Sequence, residues 1–184
     1  MTYPRVNISG SRSHERLMLF ICGTVTLLCL ASAETVWLDD VKLFGLPFGS
    51  PGLGLCFTMA MGYTVDKEVG GVTGLVSGFL LDGAYMETLM LRPLLYFLIG
   101  WLCGLLGVRL LAHNLPSFTV FAAAGAMIDL VRKIVCVTYT SGSLPTFGWI
   151  FRAAAPAWLL TVLFSVPVYG LTVWETGRVI KKKF

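Results

Sequence analysis

Charged side chains are scarce in this 184-residue sequence. Only 13% of the residues are Asp, Glu, Lys or Arg, while 56% are hydrophobic and the mean hydropathy is +0.79. About a quarter of the residues of a soluble globular domain are charged, so the composition excludes that class. It predicts one polytopic membrane domain over residues 1–184. The net charge of +4 comes from basic residues near the two chain ends, which indicates membrane topology and argues against nucleic-acid binding.

Residue types that build reactive centres are also few. The chain has two histidines and five cysteines, the cysteines lie inside apolar runs, and no C-x-x-C motif occurs. This pattern predicts free thiols without a disulfide framework or a metal site. G-x-S-x-G, H-E-x-x-H, Walker and dinucleotide-binding motifs are absent as well. We therefore expect a protein without enzymatic activity or cofactor, and a lipid-modifying enzyme built from scattered residues stays as a third alternative.

The apolar runs predict an all-α fold of six transmembrane helices. Their predicted bounds are 17–33 (extending to 37), 51–65, 69–86, 92–111, 117–139 and 149–174. Glycine and proline crowd the segment before the second helix, which predicts an irregular or re-entrant entry. Residues 1–16 and 175–184 are predicted as short basic tails. The first run also fits a cleavable signal peptide, but its length favours a retained span.

Six spans place both termini on one side of the membrane. That side carries nine basic residues against three on the other, and the positive-inside rule makes it the cytoplasm. The nine are Arg5, Arg12, Arg16, Lys67, Arg109, Arg178, Lys181, Lys182 and Lys183. The last three lysines are candidate lipid anchors, because each basic residue near anionic lipid contributes about 1 kcal/mol. A role as topology anchors alone is the alternative, and we favour it.

A helical hairpin over residues 70–101 carries a repeat of glycines. Glycines four residues apart share one helical face and allow another backbone to approach closely, as in many membrane bundles. This pattern favours packing within the chain, with an intermolecular docking face as the alternative. The candidate helix-packing residues are Gly70, Gly74, Gly78, Gly100 and Gly104.

Two groups of charged residues interrupt the apolar helices. Asp82 and Arg92 flank the tip of the hairpin, where they serve as a polar anchor or partner-docking site, or as ordinary solvated charges. Asp129, Arg132 and Lys133 follow the i, i+3, i+4 spacing that places side chains on one helical face. Charges inside a membrane are costly unless paired. We expect a self-neutralised cluster facing the bundle interior or the outer interface, with an ion path as the alternative.

The order of features over residues 51–104 resembles the MreD family, the small integral membrane proteins of the bacterial cell-shape machinery. The order is a Gly/Pro-rich helix entry, a short polar turn, a Gly-x-x-x-Gly repeat, and then the segments GFLLD and LRPLLYFLIGWLCG. The apolar, proline-containing segment PAWLLTVLFSVPVY near the C-terminus is also similar to the family. The family commonly has an acidic residue after the proline that opens the second helix, whereas here Gly52 follows Pro51. The family's outer-end aspartate corresponds to Asp82.

This resemblance implies a non-enzymatic scaffold in the bacterial inner membrane. Its partners would be a bitopic MreC-like protein and other proteins of the complex that guides peptidoglycan synthesis. The resemblance also implies a bundle like the substrate-binding S-components of energy-coupling-factor vitamin transporters. Such a subunit is the alternative function, although the first helix lacks a clean A-x-x-x-A run.

Overall fold

The computed structural model describes residues 13–38, 42–43, 46–47, 51–85, 90–109, 115–142, 148 and 155–181. Over these residues the fold is all-α, as predicted, with six α-helices. They are α1 (Ser13–Ser32), α2 (Leu53–Thr64), α3 (Lys67–Tyr85), α4 (Arg92–Arg109), α5 (Leu115–Ser141) and α6 (Ala155–Lys181). A π-helix, Ala33–Leu38, continues α1, and two-residue strands β1 (Lys42–Leu43) and β2 (Leu46–Pro47) pair antiparallel.

Several helix ends differ from the predicted bounds by two residues or more. Helix α6 continues to Lys181, so residues 175–181 are helical and not a tail; Lys182 and Lys183 lie outside the described residues. Likewise α1 already begins at Ser13. Helix α5 extends to Ser141 because Gly142 closes it: this glycine has φ 67° and donates its N–H to the Thr138 carbonyl. A left-handed glycine is a common helix stop, and the loop predicted from residue 140 begins only there.

Helix α2 is the centre of the bundle. Each residue from 51 to 63 is buried, and α2 contacts all five other helices. The helix has no polar face, so its burial on all sides follows from its composition. Its 12 residues span only about 18 Å. The first backbone N–H groups of α2 therefore lie inside the protein, where they need partners from the chain.

Helices α3 and α4 form the most extensive contact in the bundle. A Cβ atom added to Gly70, Gly74 or Gly78 would come within 3.0 Å of backbone atoms of α4 or α2. The same holds for Gly100 and Gly104, where an added Cβ atom would meet the backbone of α3. Close backbone approach replaces side-chain interdigitation along this interface. The glycine face thus packs within the chain.

Helices α5 and α6 cover the other side of α2 through aromatic side chains. The Phe118 and Tyr169 rings stack with centroids 4.6 Å apart, and the Tyr63 ring of α2 lies 5.7 Å from Phe118. All three side chains are fully buried. Aromatic pairs at these separations add stabilisation beyond the buried area, so they fix α5 and α6 against the central helix.

The outward faces of the helices are apolar. Leu94, Val120 and Leu163 each expose more than 60% of their surface. Within the described ranges, Ala155–Gly177 has the length and composition to cross a membrane, with a mean hydropathy of 1.6. The apolar segments Ile21–Val36, Leu53–Thr64 and Arg92–Gly107 are shorter. Six membrane spans therefore remain a prediction.

Candidate functional site

Polar side chains gather near the end of the bundle where α3 ends and α2, α4 and α6 begin. All are buried except Lys133, which is partly exposed. We call this set the polar layer. Its members are Glu34, Thr58, Ser77, Asp82, Arg92, Asp129, Arg132, Lys133 and Thr161.

One ion pair of the polar layer joins the two helices of the hairpin. Arg92 Nε lies 3.5 Å from Asp82 Oδ1, and these residues are 5% and 4% exposed. The Arg92 guanidinium also lies over the Tyr85 ring, 4.7 Å from its centroid. Asp82 is in the last turn of α3 and Arg92 is the first residue of α4, so the close α3–α4 contact brings the two charges together. Both side chains therefore lie almost entirely inside the bundle in this arrangement.

A second charged group lies on α5. Arg132 Nε donates to Asp129 Oδ1 at 2.8 Å, and Lys133 Nζ is 3.6 Å from Asp129 Oδ2. These contacts match the one-face spacing read from the sequence. Arg132 Nη1 also contacts Cys136 Sγ at 3.9 Å. Asp129 and Arg132 are buried, so the group faces the bundle interior.

The start of α2 is bound by side chains from two other helical segments. Glu34 Oε2 accepts a hydrogen bond from the Gly54 N–H at 3.0 Å, and Thr161 Oγ1 accepts one from the Gly52 N–H at 3.1 Å. The first N–H groups of a helix lack partners within the helix, and a carboxylate suits the positive end of its dipole. Glu34 is 3% exposed, which makes it a buried cap for the central helix.

This role of Glu34 is not among the predictions from the sequence, although a signal for it exists there. Gly23, Leu27 and Glu34 are separated by four and seven residues, which is a helical stripe, and all three are buried. The stripe indicates that Glu34 faces the bundle. It does not reveal the hydrogen-bond partner, which lies on another helix.

A pair of hydroxyl groups connects α2 with α3 below the hairpin tip. The Thr58 and Ser77 hydroxyl oxygens are 3.1 Å apart, and both side chains are fully buried. Each hydroxyl also lies within hydrogen-bond distance of a carbonyl of its own helix, Gly54 for Thr58 and Gly74 for Ser77. Because a hydroxyl has one proton, one of the two donates to its carbonyl and accepts from the other hydroxyl. Both hydroxyls thus have their hydrogen bonds without water, as buried polar groups require.

The charges of the polar layer are balanced. It contains three carboxyl groups and three cationic groups, whose formal charges cancel when all are ionised. Among the described residues, no three His, Cys, Asp or Glu side chains form a set that could hold a metal ion. The arrangement is suited to holding helices in fixed positions.

All five charged residues predicted in the two groups therefore belong to one site. Members of the polar layer are Asp82, Arg92, Asp129, Arg132 and Lys133, whereas the five predicted packing glycines line the α3–α4 contact beside it. The chain matches no protein-family model, no curated protein and no solved structure.

Proposed function

We propose that this protein is a non-enzymatic scaffold of the bacterial cell-shape machinery, similar in role to MreD. In this proposal it lies in the inner membrane with six spans and cytoplasmic termini. It binds a bitopic MreC-like partner and other proteins of the peptidoglycan elongation complex.

The α3–α4 hairpin is the observation that supports this proposal best. A scaffold must present its partner with a surface of fixed shape. Backbone-to-backbone contact at five glycines leaves the hairpin little freedom to rearrange, because no side chain separates the helices at these five positions. The buried Asp82–Arg92 pair closes the outer end of this contact.

The charged groups in the described part of the chain support a structural role for the polar layer. Asp82 binds Arg92, Asp129 binds Arg132 and Lys133, and Glu34 binds the start of α2. Buried charges of this kind are costly when a partner is removed. We therefore assign Asp82 and Arg92 to holding the hairpin, and we place the partner-binding surface on the exposed apolar helix faces.

The second candidate is a vitamin-binding subunit of an energy-coupling-factor transporter. One observation favours it: six ionisable side chains gather near one end of a helical bundle. A ligand with polar groups would be recognised by such a cluster. In that case part of the polar layer would contact the ligand and exchange some of its internal bonds for bonds to the ligand.

Purification from native membranes in mild detergent distinguishes the two functions. The tagged protein is isolated together with an unrelated polytopic protein of similar size as the control, and the co-purifying proteins and small molecules are identified by mass spectrometry. We expect a protein with a single transmembrane segment and a cell-wall-associated domain, enriched over the control. ATPase subunits or a bound vitamin would reject the scaffold and support the transporter subunit.

A further inference from the structure

Pro167 lies near the middle of helix α6. The apolar segment Ala155–Gly177 of this helix has the length and composition to cross a membrane, and it contains the proline. Half of its 23 residues correspond to about 17 Å along the helix axis. When α6 crosses the bilayer, the backbone around Pro167 therefore lies near the midplane of the hydrocarbon, where there is no water.

The proline leaves the Leu163 carbonyl without its usual partner. Proline has no N–H, so the carbonyl four residues before it receives no hydrogen bond from the helix. In membrane helices a serine or threonine hydroxyl can replace that bond. Here the two nearest hydroxyls of α6 have other acceptors. Ser165 Oγ donates to the Val162 carbonyl at 2.6 Å, and Thr161 Oγ1 donates to the carbonyl four residues before it at 2.7 Å. A hydroxyl has one proton, so neither serves Leu163.

The side of α6 that carries this carbonyl is open. Leu163 is 67% exposed, and Pro167 and Gly170 are exposed as well. Their spacing places the three residues on one face of the helix. A Cβ atom added to Gly170 would meet nothing within 4 Å, in contrast to the glycines of the α3–α4 contact. This face therefore has a gap at the midplane, and we call Leu163, Pro167 and Gly170 the α6 notch.

The α6 notch requires a hydrogen-bond donor that its surroundings do not supply. Lipid acyl chains carry no donor, and a backbone carbonyl left unsatisfied in hydrocarbon is costly. In a symmetric pair of chains the notch would face its own copy, and the exposed residues beside it are the apolar Leu159, Val166 and Leu171. A transmembrane helix of another protein can supply both missing parts, a backbone that approaches the glycine and a hydroxyl that reaches the carbonyl.

We propose that the α6 notch is the docking site for the transmembrane helix of the bitopic partner. In the complex the partner helix crosses α6 at Gly170, and a serine or threonine hydroxyl of that helix donates to the Leu163 carbonyl. This inference rests on the proposed scaffold function and specifies which of the exposed apolar faces binds the partner.

Filling the notch tests the docking site. Gly170→Leu places a large side chain where the partner helix would approach, and its Cβ atom would meet nothing within 4 Å. We expect the thermal unfolding midpoint in detergent to stay within about 2 °C of that of the unmodified protein. Co-purification of the bitopic partner from native membranes should fall at least about tenfold. Gly83→Leu is the matched control, since Gly83 is also exposed with open space around it, and it should change neither value.

Restoring the missing N–H tests the role of the carbonyl. Pro167→Ala gives Leu163 its helical hydrogen bond, so the unfolding midpoint of the protein alone should rise by roughly 2–8 °C. Capture of the partner should fall, because the carbonyl then no longer requires a donor from outside. A lower midpoint would show that the carbonyl already has a partner within the chain, and it would overturn the proposal.

A photo-reactive amino acid at position 163 identifies the occupant directly. The control is the same amino acid at position 120 on α5, where Val120 is 69% exposed. We expect a covalent product with the bitopic partner from position 163 and none from position 120. A product that contains two copies of this chain, or lipid adducts alone, would overturn the proposal. This readout also decides the question if Gly170→Leu does not accumulate in membranes.

Failure of the docking site and failure of the scaffold function give different results. If the unmodified protein captures no bitopic protein, the scaffold function is wrong and the docking site with it. If the unmodified protein and Gly170→Leu capture the bitopic protein equally, only the docking site is wrong.

Discussion

Replacing Gly74 with alanine tests whether backbone contact holds the hairpin together. Gly74 lies in the middle of α3, and a Cβ atom at this position would come within 3.0 Å of the carbonyl carbon and oxygen of Tyr96 and of the Thr58 methyl group. Two of these three atoms belong to the backbone of α4. They cannot rotate away as the end of a flexible side chain does, so the helices must separate to admit one methyl group.

The expected loss of stability follows from two opposing effects. Overpacking a close contact costs about 1–3 kcal/mol. Replacing glycine with alanine inside a helix contributes about 0.5–1 kcal/mol in the other direction. A backbone obstacle favours the upper part of the first range, so we expect a net loss of about 1–2 kcal/mol. For a chain of this size that corresponds to a midpoint roughly 2–8 °C lower. Gly74→Leu should prevent assembly of the bundle.

Gly83→Ala is the matched control on the same helix. Gly83 is exposed, and a Cβ atom there would meet nothing within 4 Å. The Gly83→Ala variant therefore gains the helix preference of alanine without a steric cost. Its thermal unfolding midpoint should equal or exceed that of the unmodified protein. Thermal unfolding in detergent, followed by tryptophan fluorescence, compares the two variants. Equal midpoints for Gly74→Ala and Gly83→Ala would refute the close contact, as would normal yield and stability of Gly74→Leu.

Other substitutions test the remaining contacts. Arg92→Gln should destabilise the protein by about 3–5 kcal/mol because it leaves Asp82 as a buried charge without its partner. Adding Asp82→Asn to the same chain should recover part of that loss. If the shift of the unfolding midpoint in the double variant equals the sum of the two single shifts, the ion pair is refuted. Thr161→Val should lower the free energy of unfolding by about 1–3 kcal/mol, because the Gly52 N–H at the start of α2 loses its acceptor. Faster hydrogen exchange of the Gly52 amide is the check. Gly125→Ala should lower the midpoint less than Gly74→Ala, since the atoms it would meet first belong to the flexible Met59 side chain, and an equal effect would show that Met59 cannot move.

Local patterns in the sequence were sufficient for the hairpin and for much of the helix order. The four-residue spacing of Gly70, Gly74 and Gly78 places them on one face, and this face lies against α4. The i, i+3, i+4 spacing brought Asp129 together with Arg132 and Lys133. Both are properties of one helix, so they can be read without knowing its neighbours.

Contacts between distant segments could not be read in this way. The bond from Gly54 to Glu34 joins α2 to the π-helix, and the bond from Gly52 to Thr161 joins it to α6. Nothing local in the chain encodes either partner. Gly62 was missed for the same reason: its contact with Gly100 depends on α2 lying between the other helices. The extension of α6 to Lys181 was missed because a run of basic residues suggests a tail, although such residues do not end a helix.

Native mass spectrometry of the protein released from its own membranes tests the scaffold proposal most directly. The mass of the intact complex reports protein partners and bound small molecules in the same spectrum. The proposal predicts the 20.1 kDa chain together with a bitopic cell-wall protein and with no small molecule retained in the polar layer. A chain carrying the added mass of a vitamin, or a complex with ATPase subunits, would contradict it.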